Sequence, residues 1–211
     1  MRKFERGSEP KFLTQARQDG KNWKQFAQTD DHKELRDLLY EAQGGRCAYC
    51  ESEVRKKKDG ICGHIEHLNR RKDAPNRTFD WNNLFFSCNR VDSCGNYKDD
   101  PKRKIVFDPD DIVDPSRENP SDFFTYDANG NIVPRGDNSK AAKRRASETV
   151  RVFNLNSPSL QGAREGAAQI VFDCFENGFL DTEDGIDEFL SHFQTSPYLS
   201  VYYALCGRKL E

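Results

Sequence analysis

Residues 47–70 read CAYCESEVRKKKDGICGHIEHLNR, a stretch that begins with two cysteines and ends with a glutamate between two histidines. Cys47 and Cys50 have the spacing that places two thiolates on one tight turn. A second pair, Cys88 and Cys94, follows after 37 intervening residues. Four cysteine sulfurs form one of the usual closed shells of structural zinc, and binding the ion would stabilise the fold of this polar region. We therefore predict a structural zinc site at these four cysteines.

The spacing of the second pair leaves the fourth zinc ligand open. Five residues separate Cys88 from Cys94, which is wider than the two to four residues usual within such pairs. Cys62 and His64 lie between the two pairs and are alternative ligands. The chain has seven cysteines in all, and in a reducing compartment paired cysteines favour a metal over disulfides.

The composition is that of a polar, soluble protein. Of its 211 residues 35% are hydrophobic and 32% are charged, and the mean hydropathy is −0.92. No apolar run approaches the roughly 20 residues that a membrane span requires. The first residues, MRKFERGSEP, lack the apolar core of a secretory signal. We expect a cytoplasmic protein without membrane contact.

Charge is unevenly distributed along the chain. Residues 1–107 carry 23 Lys and Arg against 17 Asp and Glu, whereas residues 108–211 carry 10 against 18. A basic half that also holds the Cys and His cluster favours a polyanionic partner, and the acidic half favours a scaffold or protein-docking role. Ordinary variation in surface charge is the alternative explanation.

Local patterns predict helices with two hairpins between them. Residues 1–29 are polar and predict an extended arm, and the following helix is expected to be capped by Asp30 or Asp31 and to end at Gly44 and Gly45. Apolar stretches on either side of Asp59-Gly60 predict the first hairpin, and Asn129-Gly130 predicts the second. A short helix after Cys94 should end before Pro101, and further helices are expected at about 138–153, 158–177 and 183–194, followed by an apolar stretch at 198–206.

These patterns predict an α+β protein in three segments. The first, residues 1–45, holds the arm and its helix. The second, residues 46–104, holds the cysteine pairs and the residues between them. The third, residues 105–211, holds a linker, the second hairpin and a helical region.

Glu66 and His67 have no part in a zinc site that four sulfurs already fill. A carboxylate is a hard oxygen donor that suits Mg²⁺ or Mn²⁺. A neutral imidazole, with an unperturbed pKa of about 6.5, takes a proton from water at neutral pH. Hydrolysis of a phosphodiester needs both an activated water and a cation that stabilises the developing charge. Taken alone, the pair is more consistent with exposed polar residues at the end of a strand than with a catalytic site.

The order of the motifs resembles that of HNH nucleases, the ββα-metal family. The motifs are CAYC at 47–50, Glu66-His67, WNNL at 81–84, and the second cysteine pair with CGNYK at 94–98. The segments RKFERGSEPKFL, HIEHLNRRKD, TYDANGNIVP and NLNSPSL extend the resemblance to the PtuB branch, the HNH component of Septu-type and certain retron anti-phage systems. The resemblance covers most of the chain. It implies a zinc-stabilised ββα-metal finger embedded in a mostly helical scaffold.

The resemblance also implies roles for the matching residues. His67 would be the general base, Glu66 a ligand of a catalytic Mg²⁺ or Mn²⁺, and Asn96 the second protein ligand of that ion. Asn83 would brace the loop and help to orient His67. The last position is Asn where the family often has His, and it lies one residue later than in many relatives, so Asn89 is a rival ligand.

The implied function is metal-dependent cutting of nucleic acid, with DNA favoured, as the effector of an anti-phage complex. The implied partner is an ATPase of the PtuA type, related to ABC and SMC ATPases. The alternative is a non-catalytic zinc-knuckle module that binds nucleic acid or serves as an ATPase adaptor. A module that only binds has no need for Glu66, His67 and Asn83 together.

A basic run follows the proposed base directly. Arg70, Arg71 and Lys72 lie close enough to His67 in sequence to bind substrate phosphates. Lys98, at the end of the motif, is assigned the same role. The basic residues 55–58 are equally consistent with a solvated turn.

Overall fold

The computed structural model describes residues 1–58 and 60–210, and in these ranges helices combine with three two-stranded antiparallel sheets into an α+β fold. The helices are α1 (Lys11–Gln18), α2 (Trp23–Phe26), α3 (Asp30–Ala42), α4 (Cys94–Asp99), α5 (Lys140–Phe153), α6 (Pro158–Glu176), α7 (Glu183–His192) and α8 (Leu199–Leu205). The strand pairs are β1 (Lys56–Lys57) with β2 (Gly60–Ile61), β3 (Gly63–His67) with β4 (Leu84–Cys88), and β5 (Phe124–Tyr126) with β6 (Ile132–Pro134).

The central unit consists of β3, β4 and α4. The two strands pair from Gly63 opposite Cys88 to His67 opposite Leu84. All five residues of β4, LFFSC, are buried, because α3, whose Leu35 and Leu39 are buried, packs against the strand, and α4 also contacts it. An apolar run of this kind is typical of a strand that is covered on both faces. The unit thus has the order strand, strand, helix.

The prediction of an extended arm over residues 1–29 was wrong. The segment forms α1 and α2, and the side chain of Asn22 caps α2 by accepting a hydrogen bond from the Gln25 amide at 2.9 Å. Leu13 and Phe26 are fully buried. Each helix is too short to show an apolar stripe in the sequence, although one or two buried side chains are enough to dock it on the core.

The first predicted hairpin is confirmed only at its tip. β1 pairs with β2 there, and Asp59 of the predicted turn lies outside the described residues. The long partner of β3 is β4, not the CAYCESEV stretch. That stretch is a tight turn, with Glu51 in the left-handed region at φ 64°, and an isolated antiparallel bridge between Arg46 and Glu53 closes it.

The C-terminal elements agree with the sequence. The hairpin at Asn129-Gly130 is present, and Gly130 has the φ of 73° that such a turn requires. α5 begins two residues later than predicted and α7 ends two residues earlier, while the apolar stretch at 198–206 forms α8. One hydrophobic core, which includes Leu35, Phe86 and Leu160, runs through all three predicted segments. No helix of the described part is long and apolar enough to cross a membrane.

Candidate functional site

The four cysteines of the two pairs form one cluster. The Sγ atoms of Cys47, Cys50, Cys88 and Cys94 all lie within 4.8 Å of one another, and all four residues are buried. The first two lie on the turn after α3, the third ends β4 and the fourth begins α4. This confirms a four-cysteine group that can hold a metal such as zinc.

Neither alternative ligand belongs to the cluster. Among the described residues the four cysteines alone form such a group, and Cys62 is a half-buried residue between β2 and β3. The Ser87 hydroxyl supports the cluster by accepting a hydrogen bond from the Gly95 amide at 3.2 Å. It also lies 3.9 Å from the Sγ of Cys47. The hydroxyl therefore ties the start of α4 to the first cysteine pair.

Glu66 is a fully buried carboxylate in contact with an ammonium group. The Tyr49 hydroxyl donates to Oε2, and the Nζ of Lys98 lies 2.6 Å from Oε1. The hydrogen bonds of that ammonium go elsewhere, to the His67 carbonyl at 2.9 Å and to Asp99 Oδ1 at 2.8 Å. Oε1 is therefore close to a positive charge without a directed hydrogen bond of its own among the described residues.

His64 lies on the same face of β3 as Glu66, because alternate residues of a strand point to the same side. α4 crosses this face at Gly95, where a Cβ atom would lie 2.5 Å from Glu66 Cγ and 2.8 Å from His64 Nε2. The Nδ1 of His64 is 3.1 Å from Asn89 Oδ1. If Nδ1 donates to that oxygen, Nε2 keeps its lone pair on the side of Glu66.

This donor set fits a divalent cation. A carboxylate and an imidazole on one face of a strand are side chains of the kinds that bind such ions, and the carboxylate suits Mg²⁺ or Mn²⁺. The Lys98 ammonium already neutralises Glu66. A cation would therefore share the carboxylate with Lys98 or replace it there.

His67 lies on the opposite face of β3. Its Nε2 is 3.0 Å from the Thr78 carbonyl oxygen, so this nitrogen donates and Nδ1 keeps the lone pair. The imidazole packs edge-on against the Trp23 ring, with 4.4 Å between the ring centroids. The residue is 5% exposed, and burial lowers the pKa of His67 to about 4. The imidazole is therefore neutral at pH 7.

Asn83 closes the loop between β3 and β4. Its Oδ1 accepts from the Asn69 amide at 2.7 Å, and its Nδ2 donates to the carbonyls of Asn69 and Arg77, each at 3.0 Å. The side chain is fully buried. The same loop carries Thr78, the hydrogen-bond partner of His67.

The two candidate asparagine ligands lie in different surroundings. Asn96 is half-buried on α4, directly after Gly95, and its side chain has no hydrogen bond within residues 1–58 and 60–210. Successive helix residues are about 100° apart, so Gly95 rather than Asn96 is the residue that faces Glu66. Asn89 contacts His64. The role of either asparagine in binding a cation stays a prediction.

The predicted phosphate-binding residues divide into two groups. The Arg70 guanidinium donates to Asp99 Oδ1 at 2.9 Å, to the Ile105 carbonyl at 2.8 Å and to the Lys98 carbonyl. Lys98 is fully buried. In this conformation both side chains are committed to partners within the protein, whereas Arg71 and Lys72 are exposed.

Three contacts of the site were not anticipated from the sequence. Trp23 covers His67, Thr78 holds its Nε2, and Tyr49 donates to Glu66. A tryptophan in an otherwise polar arm was the available signal for the first contact. The sequence carries no comparable signal for a backbone carbonyl or for the tyrosine inside the first cysteine pair.

Comparison with known proteins gives one curated relative and no matching family model. The relative is named "Retron Vc95 putative HNH endonuclease" and comes from Vibrio cholerae serotype O1 biovar El Tor. It is 30% identical over 137 residues, which is 63% of this chain and 62% of the relative. The chain thus aligns with less than two thirds of that protein. The similarity supports the likeness to HNH endonucleases.

Proposed function

We propose that the chain is a metal-dependent HNH endonuclease that hydrolyses phosphodiester bonds of nucleic acid, with DNA favoured. The observation that carries the proposal is the arrangement around β3. A neutral imidazole, His67, has its Nε2 fixed by a carbonyl, and the preceding residue, Glu66, is a carboxylate on the helix side of the strand. The similarity to a protein named as an HNH endonuclease adds support.

His67 acts as the general base in this proposal. The lone pair of Nδ1 takes a proton from the attacking water, and the Nε2–H bond to the Thr78 carbonyl holds the ring and favours the imidazolium that forms. Asn83 fixes the loop that carries this carbonyl. Orientation of the base therefore depends on Asn83, whose side-chain hydrogen bonds hold the loop that carries the Thr78 carbonyl.

The proposed cation is Mg²⁺ or Mn²⁺, held by Glu66 with Asn96 or, alternatively, Asn89. His64 is a further donor on the same face as Glu66. When bound, the ion would stabilise the charge of the phosphorane-like transition state and of the leaving oxygen. Zinc, at the four cysteines, has a structural part only.

The proposed setting is an anti-phage complex with an ATPase of the PtuA type. The relative is named as the endonuclease of a retron, which supports a defence context. The segment of residues 108–211 carries more acidic than basic side chains, and this negative charge favours docking to another protein.

The test is plasmid and oligonucleotide cleavage by the purified, zinc-loaded protein with Mg²⁺ or Mn²⁺, alone and with the ATPase. We expect His67→Ala to lower the rate by about 10²–10⁴-fold, the usual contribution of a general base. His192→Ala is the matched control, because His192 is exposed at the end of α7. Equal cutting by His67→Ala and wild type would contradict the assignment of the base. Failure to cut under any of these conditions would contradict the nuclease proposal.

One observation favours a second candidate, a zinc-knuckle module that binds without cutting. The Glu66 carboxylate is already neutralised by Lys98, and both side chains are fully buried. A binding module would retain labelled nucleic acid with or without added Mg²⁺ or Mn²⁺ and would yield no product in either condition.

A further inference from the structure

A cleft of about 500 Å³ lies beside His67. One wall is the segment from the end of α1 to the start of α2, and the other is the loop after β3. The residues that line it include three cations and no acidic residue; the cations are Arg17, Lys21 and Arg71. Its volume is within the range of pockets that enclose small organic ligands, about 300–1,000 Å³.

Two of the three cations are available to a ligand. Arg71 has no ion pair within residues 1–58 and 60–210, and the Nζ of Lys21 lies 3.8 Å from Asp19 Oδ2, a loose and partly exposed pair. Arg17, by contrast, donates to the Phe79 carbonyl at 2.6 Å. Arg17 therefore joins the two walls, while Lys21 and Arg71 supply positive charge to the space between them.

The cleft also has aromatic walls. Trp23 is half-buried and offers part of its ring to the cleft, while the buried Phe79 packs against it with ring centroids 5.7 Å apart. The Arg71 guanidinium lies 5.5 Å from the Trp23 ring. Cations combined with aromatic side chains are the usual means of binding single-stranded nucleic acid, because unpaired bases can pack against the rings. A duplex keeps its bases stacked inside and offers only phosphates to such a cleft.

The cleft and the proposed base share residues. Trp23 is a wall of the cleft and also contacts the His67 ring. Thr78 lines the cleft and accepts the hydrogen bond of His67 Nε2. A ligand that contacts Trp23 in the cleft is therefore separated from the His67 imidazole only by the Trp23 side chain.

We propose that this cleft binds one nucleotide of a single-stranded nucleic acid, with the base against Trp23 and the phosphates on Lys21 and Arg71. The inference rests on the proposed function for the nature of the polymer, and it names the class of substrate and its path. The strand enters between the N-terminal helices and the loop, next to the residue that activates water.

The experiment measures binding rather than cutting. Fluorescein-labelled single-stranded DNA, single-stranded RNA and a DNA duplex of the same sequence are titrated with full-length, zinc-loaded His67→Ala protein, without added Mg²⁺ or Mn²⁺, over a range of salt. We expect the single strands to bind more tightly than the duplex. Lys21→Ala and Arg71→Ala, each made in the same background, should reduce the slope of log K against log salt by about 0.7 for each phosphate that the variant no longer neutralises.

Lys140→Ala is the matched control, because Lys140 is an exposed lysine at the start of α5, outside the cleft. Its salt slope should equal that of the parent, and thermal unfolding should show that all variants fold. Trp23→Phe should retain most of the single-strand affinity that Trp23→Ala loses, because the phenyl ring still offers a stacking surface.

Two results would overturn the inference: unchanged salt slopes in both cleft variants, or duplex binding at least as tight as single-strand binding. Either result would leave plasmid cutting by the wild type, and with it the proposed nuclease, intact. Single-strand binding in the cleft without cutting under any condition would instead overturn the nuclease proposal. The comparison of DNA with RNA decides which polymer is held.

Discussion

Glu66 and His67 are neighbours in sequence, but the alternation of a strand sends their side chains to opposite faces of β3. Glu66 faces α4, and its carboxylate contacts Lys98 of that helix and Tyr49 of the turn between Cys47 and Cys50. His67 faces the N-terminal helices and the loop, where Thr78 holds its Nε2. In the proposed mechanism the strand therefore separates the cation ligand, Glu66, from the proton acceptor, His67, while it keeps both residues at one end of the unit.

Asn83→Ala should destabilise the protein, because it leaves the backbone groups of Asn69 and Arg77 without their buried partner. Each buried group left without a hydrogen bond costs about 1–3 kcal/mol, so we expect the free energy of unfolding in urea to fall by roughly 2 kcal/mol or more. Asn82→Ala is the matched control, since Asn82 is exposed, and it should change stability by less than about 0.5 kcal/mol. Equal effects of the two substitutions would show that Asn83 does not hold the loop.

The cation ligands can be assigned by Mn²⁺ binding, measured by electron paramagnetic resonance on zinc-loaded protein. Glu66→Gln should weaken binding at least tenfold, because an amide oxygen replaces a charged ligand. Asn96→Ala should weaken it as well if α4 supplies the second ligand, whereas a loss in Asn89→Ala alone would assign that position to Asn89. Mn²⁺ affinity that is the same in Glu66→Gln and wild type would contradict a cation site at this carboxylate.

At the scale of elements, local patterns were a good guide wherever one short signal determines a turn or an end. Asn129-Gly130 predicts a hairpin because Gly130 supplies the positive φ, and Pro101 limits α4 because a proline disfavours helix in the residue before it. The two cysteine pairs predicted the four-sulfur cluster because structural zinc takes four ligands, and two pairs supply that number.

The elements that local patterns misjudged depend on distant contacts. β3 pairs with β4 across the loop that Asn83 closes, and nothing near β3 in the sequence specifies that partner. α1 is held by Leu13 and Ala16, two side chains with the spacing of one helix face, too few to stand out in a polar segment. In the site, the order of motifs indicated Glu66 and His67, but the cover by Trp23 and the bond to Thr78 arise only when separate segments meet.

The contact of α4 with β3 makes Gly95 a specific requirement. A Cβ at this position would lie 2.5 Å from Glu66 Cγ and 2.8 Å from His64 Nε2, so something must shift. Gly95→Ala should therefore lower the free energy of unfolding by about 1–3 kcal/mol, the usual cost of an overpacked contact. Gly166→Ala in α6 is the control, because a Cβ there meets nothing within 4 Å, and it should stabilise by about 0.5–1 kcal/mol. Stabilisation by both substitutions would contradict the close approach.

At the scale of the whole molecule, the cysteine cluster is joined to the C-terminal helices. The Glu51 carboxylate, directly after the first cysteine pair, accepts from the Ser200 amide at 3.1 Å and from the Ser200 hydroxyl. The hydroxyls of Ser52 and Tyr198 lie 2.8 Å apart. These contacts are buried, and they connect the turn that carries Cys47 and Cys50 to the start of α8, more than a hundred residues away in the chain.

Loss of the structural metal should therefore loosen α8 as well as the ββα unit. We expect about one zinc per chain by elemental analysis, and none in Cys47→Ser, because a closed four-sulfur site needs every ligand. On removal of zinc by a chelator, hydrogen exchange should accelerate both in β4, which ends at Cys88, and in α8, since the turn that holds Ser200 loses its shape. Cys174→Ser is the matched control, because Cys174 lies outside the cluster and should leave the zinc content unchanged. If α8 keeps its protection while β4 loses it, the metal stabilises only its own turn and the buried Glu51 contacts do not transmit its loss.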